Sequence, residues 1–137
     1  MGLILDSSVV IAAERERKSA RQFVRSVIDF APHQELALSA VGLTELVHGI
    51  YRSDSPERQA KRKLFINELC AGLKVYPYVA ETAFLAGRIH GEQMAKGIVI
   101  PYADLLIGAT ALSLGYSVLT TNVRHFQLIP GLKVISV

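Results

Sequence analysis

The sequence predicts an α/β fold, with a central parallel sheet of four to five short strands flanked by helices on both faces. Three observations carry this. Short apolar segments rich in Leu, Ile and Val alternate with longer segments of helical periodicity. No two strand-like segments meet across a tight two-residue turn, so the connections are crossovers and the strands run parallel. Finally, three carboxylates, Asp6, Glu45 and Asp104, sit at the edges of apolar segments where the pattern alone calls for no charge.

In order, Gly2 to Leu5 reads as a short buried strand, and Ser7 or Ser8 as the cap of a helix carrying Val9, Val10, Ile11 and Ala12. Ser19 to Phe30 is amphipathic, with Phe23, Val27 and Phe30 on one stripe and Arg21, Arg25 and Asp29 off it. Leu36 to Ser39 is the second strand, and Val41 to Tyr51 the helix carrying Glu45. Ser55-Pro56-Glu57 opens the next helix, the serine as cap and the proline at the first helical position; it runs to about Ala71, where Gly72 ends it. Lys74 to Tyr76 is a third short strand. Ala80 to Lys96 is a helix stopped at Gly97, and Pro101 begins one that runs to about Leu114, with Gly115 at its end. Ser117 to Thr120 and Lys133 to Ser136 are the last two strands.

The chain has 137 residues, 50% hydrophobic and 20% charged, enough for one domain with a substantial core. No repeat, low-complexity tract or linker divides it, and residues 1–137 read as a single unit. Mean hydropathy is high at +0.31, yet no apolar run is long enough to cross a bilayer, and no membrane partner is expected. The apolar excess instead points to surface covered by another subunit. The N-terminus lacks the charged region and cleavage site of a signal peptide. The lone Cys70 cannot form an internal disulfide, which fits a reducing, cytoplasmic setting. A net charge of +3 is compatible with a polyanionic partner.

In an open parallel sheet, ligands bind beyond the carboxyl ends of the strands. Asp6 closes the first strand, Thr120, Thr121 and Asn122 close the fourth, and Asp104 opens a helix that right-handed crossovers bring to the same rim. Taken singly, Asp6 could cap a helix, Asp104 could balance a helix dipole, and Glu45 could pair with an arginine. Taken together, three coincidences are needed to explain them away. Three carboxylates at one point repel and raise one another's pKa unless a hard divalent cation, Mg²⁺ or Mn²⁺, sits among them. His33, His48, His90 and His125 lack the spacing of a zinc site, and each reads as a surface or packing residue.

Four segments, in order, resemble the motifs of PIN-domain nucleases. They are Leu3-Ile4-Leu5-Asp6-Ser7-Ser8, Thr44-Glu45-Leu46-Val47-His48-Gly49, Pro101-Tyr102-Ala103-Asp104-Leu105-Leu106, and Leu119-Thr120-Thr121-Asn122-Val123-Arg124-His125-Phe126. The closing Ile129-Pro130-Gly131-Leu132-Lys133-Val134 is similar to the tail of VapC-type toxins. The resemblance implies a small Mg²⁺-dependent endoribonuclease in which Mn²⁺ can substitute. It implies the toxin of a toxin–antitoxin pair, homodimeric, silenced by a VapB-type antitoxin, and meeting DNA only through the antitoxin complex. It puts Asp6, Glu45 and Asp104 on the acidic metal site, with Ser7, Thr121 and Asn122 in support. Many PIN domains carry a fourth aspartate where this chain has Asn122, which keeps a carbonyl oxygen without the charge.

Arg88, Lys96 and Arg124 are candidate phosphate contacts. The cluster Arg58, Lys61, Arg62 and Lys63, balanced by Asp54 and Glu57, reads first as a solvated helix face and second as an RNA contact. The competing reading is a catalytically weak PIN module that acts as a regulatory nucleic-acid-binding partner of an antitoxin. The intact acidic triad argues against it, because a pure binder gains nothing from crowding three carboxylates.

Overall fold

A computed structural model describes residues 1–137. The element order is β1 (Gly2–Leu5), α1 (Ser7–Arg15), α2 (Ala20–Phe30), β2 (Glu35–Ser39), α3 (Ala40–Arg52), α4 (Pro56–Gly72), β3 (Lys74–Tyr76), α5 (Ala80–Met94), α6 (Tyr102–Leu114), β4 (Ser117–Thr120), α7 (Val123–Phe126) and β5 (Val134–Ser136). The expected strands and long helices are all present, with ends shifted by a residue or two. The addition is α7, a single turn with no room for a periodic pattern.

All four strand pairings are parallel, in the order β3-β2-β1-β4-β5. The chain builds outward from β1 to β2 and β3, then crosses back to place β4 on the other side of β1. The β1–β4 boundary is therefore the topological switch point, where crevices open at the carboxyl edge. Successive residues of β1 divide between two cores, as a strand of period two requires. Leu3 and Leu5 pack with Val10, Phe23, Leu46 and Leu69 of α1 to α4, whereas Ile4 packs with Ile89, Ile107 and Phe126 of α5 to α7. Helices thus cover both faces.

Helix α6 is apolar all round because it is buried between the sheet and α5 and α7. Its closest approach is at Gly108, where an added Cβ would fall 2.2 Å from Cδ1 of Ile129 and 3.5 Å from Cδ1 of Phe126. A larger residue at 108 would have to displace the end of the Ile129 side chain. No helix is long and apolar enough to cross a membrane.

Candidate functional site at the switch point

Asp6 is fixed by backbone before its side chain is considered. Its N–H donates to the Leu119 carbonyl at 3.0 Å, extending the β1–β4 ladder one residue past β1. The carboxylate is 1% exposed, and its Oδ2 accepts from Ser8 Oγ at 2.7 Å and Thr120 Oγ1 at 2.8 Å. Each of these hydroxyls in turn accepts a backbone N–H from the end of β4: Thr121 to Ser8 at 3.1 Å, and Asn122 to Thr120 at 2.8 Å. The two relays are polarised toward Asp6, so each bond strengthens the next. Asp6 Oδ1 is buried with no hydrogen-bond donor from the protein. A buried carboxylate oxygen without a donor is costly, and a cation beside it would relieve that cost.

Glu45 lies in the second turn of α3, a helix whose start is held by Gly42 N–H donating to Ser39 Oγ at 2.9 Å. Its Oε1 accepts from Ser7 Oγ at 2.9 Å. Asp104 sits in the first turn of α6, 9% exposed, with Oδ2 2.8 Å from His125 Nδ1. The parallel topology turns the N-terminal ends of α1, α3 and α6 toward this edge, and their partial positive charge offsets part of the carboxylate repulsion. Each carboxylate uses one oxygen in hydrogen bonds and leaves the other free.

The electrostatics tie the three together. Burial raises the pKa of Glu45, the Ser7 hydroxyl opposes this, and Asp6 and Asp104 push it further up. Burial likewise raises that of Asp104, with His125 opposing and Asp6 adding to the rise. No three His, Cys, Asp or Glu side chains are drawn in closely enough to form a finished metal-binding group. Each acid is instead turned onto its own hydroxyl or imidazole partner. The donors nonetheless suit a hard cation: all are carboxylate oxygens, and one is orphaned in the interior.

Several expectations need correcting. Neither Ser7 nor Ser8 caps α1: Asp6 occupies the cap position without a side-chain bond, and both hydroxyls turn to the carboxylates instead. His125 is no bystander, because its ring holds Asp104. Asn122 and Thr121 join through backbone N–H groups, and their side chains are exposed. Thr120, fully buried, is the residue of that segment whose side chain reaches an acid. Among the proposed phosphate contacts, Arg124 lies on α7 beside His125, Lys96 is exposed just past α5, and Arg88 pairs along α5 with Glu92 at 3.8 Å.

Stability should follow pH accordingly. Glu45 and Asp104 have folded-state pKa values above their ordinary 4.5 and 3.8, so the native chain binds more protons than the unfolded one above that range. Their contribution is complete at low pH and is lost as pH rises through the raised values. The metal-free protein is expected to melt higher near pH 5 than at pH 7. Glu45→Gln together with Asp104→Asn should flatten that slope, measured as melting temperature in chelator; an unchanged slope would mean these acids are not strained.

A PIN domain model matches residues 3–132. The chain is 34% identical to Ribonuclease VapC1 of Rickettsia felis over 137 residues, which is all of this chain and 97% of that protein. In structure it is similar to VapBC2 of Rickettsia felis bound to a promoter DNA fragment, with a TM-score of 0.85, 23% identity, and coverage of 100% of this chain and 99% of that one. It is also similar to the DNA-bound VapBC of Salmonella typhimurium, with a TM-score of 0.82, 26% identity, and coverage of 99% and 98%. The chain belongs to the PIN-domain family, in its VapC ribonuclease branch.

Proposed function

We propose that this chain is a metal-dependent endoribonuclease and the toxin of a type II toxin–antitoxin pair, cutting RNA phosphodiesters at Asp6, Glu45 and Asp104. The observation that carries the reading is the buried, donorless Oδ1 of Asp6 beside two acids whose charged forms it disfavours. A VapC ribonuclease relative that aligns along the full chain supports the RNA substrate. Toxin–antitoxin neighbours support a VapB-type antitoxin partner in the cytoplasm, with DNA reached through that complex. A homodimer belongs to the same reading, and exposed apolar side chains such as Tyr51 on α3 and Phe84 on α5 are surface that a second subunit would cover.

Asp6, Glu45 and Asp104 would hold Mg²⁺, or Mn²⁺ in its place, which supplies positive charge for the phosphate and acidifies nearby water. The chain's own part is positioning. Ser8 and Thr120 lock the Asp6 rotamer, Ser7 turns Glu45, and His125 turns Asp104. Glu45 and Asp104, with pKa pushed upward by burial, are the groups suited to take a proton from an attacking water.

The test is cleavage of RNA by the purified chain with Mg²⁺, with Mn²⁺ and in excess chelator. Cutting is expected with either ion and should vanish in chelator. RNA cut equally fast without any divalent ion would overturn the metal-dependent reading.

A further inference from the structure

Glu45 also stands in the wall of a second feature, a cleft of about 640 Å³ between the C-terminal end of α1, the last turns of α3 and the first half of α4. Seven basic and three acidic side chains line it, a net charge of +4 where the whole chain carries +3. The rest of the chain is therefore close to neutral, and the chain's excess positive charge is concentrated beside the acidic site. Two of the cations are structural. Arg62 donates from Nη1 to the Gly49 carbonyl at 3.0 Å and lies 3.9 Å from Glu14, while Lys18 pairs with Glu16 at 3.3 Å. Arg15, Arg17, Arg52, Arg58 and Lys61 are exposed and have no carboxylate partner. Five exposed cations without a carboxylate partner around one hollow give it a field that favours a polyanion.

Arg17 makes the point most sharply. It sits at φ 61°, in the left-handed region, where α1 ends in a paired turn: Lys18 N–H donates to the Ala13 carbonyl at 3.1 Å and Arg17 N–H to the Glu14 carbonyl at 3.0 Å. This turn favours glycine. The same chain uses glycine just past α5 and α6, at Gly97 (φ 80°) and Gly115 (φ 73°). At α1 an arginine takes that position, as His33 (φ 67°) does before β2, and the strained turn sets a guanidinium in the wall of the cleft.

The walls also say what part of a nucleic acid fits. Their single aromatic, Phe65, is buried at 9% exposure, so no ring is offered for stacking bases. Single strands are usually held on such rings, whereas a duplex turns its bases inward and presents phosphates. We propose that this cleft grips the phosphate backbone of a base-paired RNA stem next to the cut, with Arg17 as a positioning residue that leads the strand to Glu45. The inference rests on the ribonuclease reading above, and adds to it the form of the substrate and the side from which it enters.

Two RNAs carrying the same cut sequence decide the matter, one a hairpin with an adjoining stem and one a short single strand. The variants are Arg17→Gly and the double Arg58→Gln/Lys61→Gln, with Lys63→Gln on the same helix, outside the walls, as control. Both cleft variants should raise KM for the hairpin roughly tenfold, and far less for the short strand, with kcat nearly constant. The slope of log Kd against log salt for the hairpin, taken in chelator, should fall by about one for each cation removed. Arg17→Gly should melt at or above the wild-type temperature, a result that a merely structural arginine would not give. Cleft variants that cut the hairpin as wild type does, while wild type cuts both RNAs, would overturn the cleft and leave the nuclease standing. A cleft that binds poly-glutamate but not the stem would overturn it in favour of an acidic protein segment. A wild-type chain that cuts neither RNA with Mg²⁺ or Mn²⁺ removes the ribonuclease reading and this inference together.

Discussion

Asp104→Asn is expected to slow RNA cleavage by at least about a hundredfold, the scale set by losing charge stabilisation in a transition state. Asp6→Asn should do the same. Asparagine keeps the size and the carbonyl oxygen, so His125 can still bond to position 104 and the fold should persist. Indeed, removing one of three crowded charges should leave the metal-free protein as stable as wild type or more so, since burial and neighbouring acids already disfavour the carboxylates of Glu45 and Asp104. Activity falling while melting temperature holds or rises marks a site that carries strain for function. A folded Asp104→Asn chain that cuts RNA at the wild-type rate would rule out the acidic site.

The second large effect lies behind the site. Phe126 has no exposed surface and packs under α7 against α6 near Gly108 and Ile129. Truncation to alanine empties a ring-sized volume that the surrounding helices cannot refill, and should cost about 3–5 kcal/mol in urea denaturation. Because Phe126 anchors the turn that carries His125, the variant should also lose cleavage more than global unfolding explains. A cost below about 1 kcal/mol would show that α7 is free to collapse onto the core.

The sequence made much of this legible, for identifiable reasons. Asp6, Glu45 and Asp104 stand out because each breaks an apolar segment, and parallel α/β topology leaves one edge for them to share. Pro56 and Gly115 mark helix ends through backbone geometry, which is local and therefore readable. What stayed hidden depends on distance in space. The hydroxyl of Ser8 reads as a cap because a cap is a local partner, yet the N–H of Thr121 that aims it at Asp6 arrives only once β4 lies beside β1. His125 lies 21 residues from Asp104, and nothing in its neighbours signals the bond. The basic cleft draws Arg15 from α1, Arg17 from the turn after it, Arg52 from α3 and Arg58 from α4, so along the chain each is an ordinary solvated cation.

The hydrogen bond from Thr120 to Asp6 spans 114 positions, and it bears on how activity appears and disappears. Closing a loop of that length is among the later events of folding, because the entropy is lost before the contact returns anything. Until β4 has inserted beside β1, Asp6 has neither its hydroxyl relays nor its ladder bond, and His125 has not reached Asp104. A form in which β4 has left β1 is expected to lose the Thr120 bond, the ladder bond and the His125 contact together. Cutting therefore switches on and off with the cooperative transition of the whole molecule, and inactivation by heat or denaturant should trace the same curve as loss of tertiary structure.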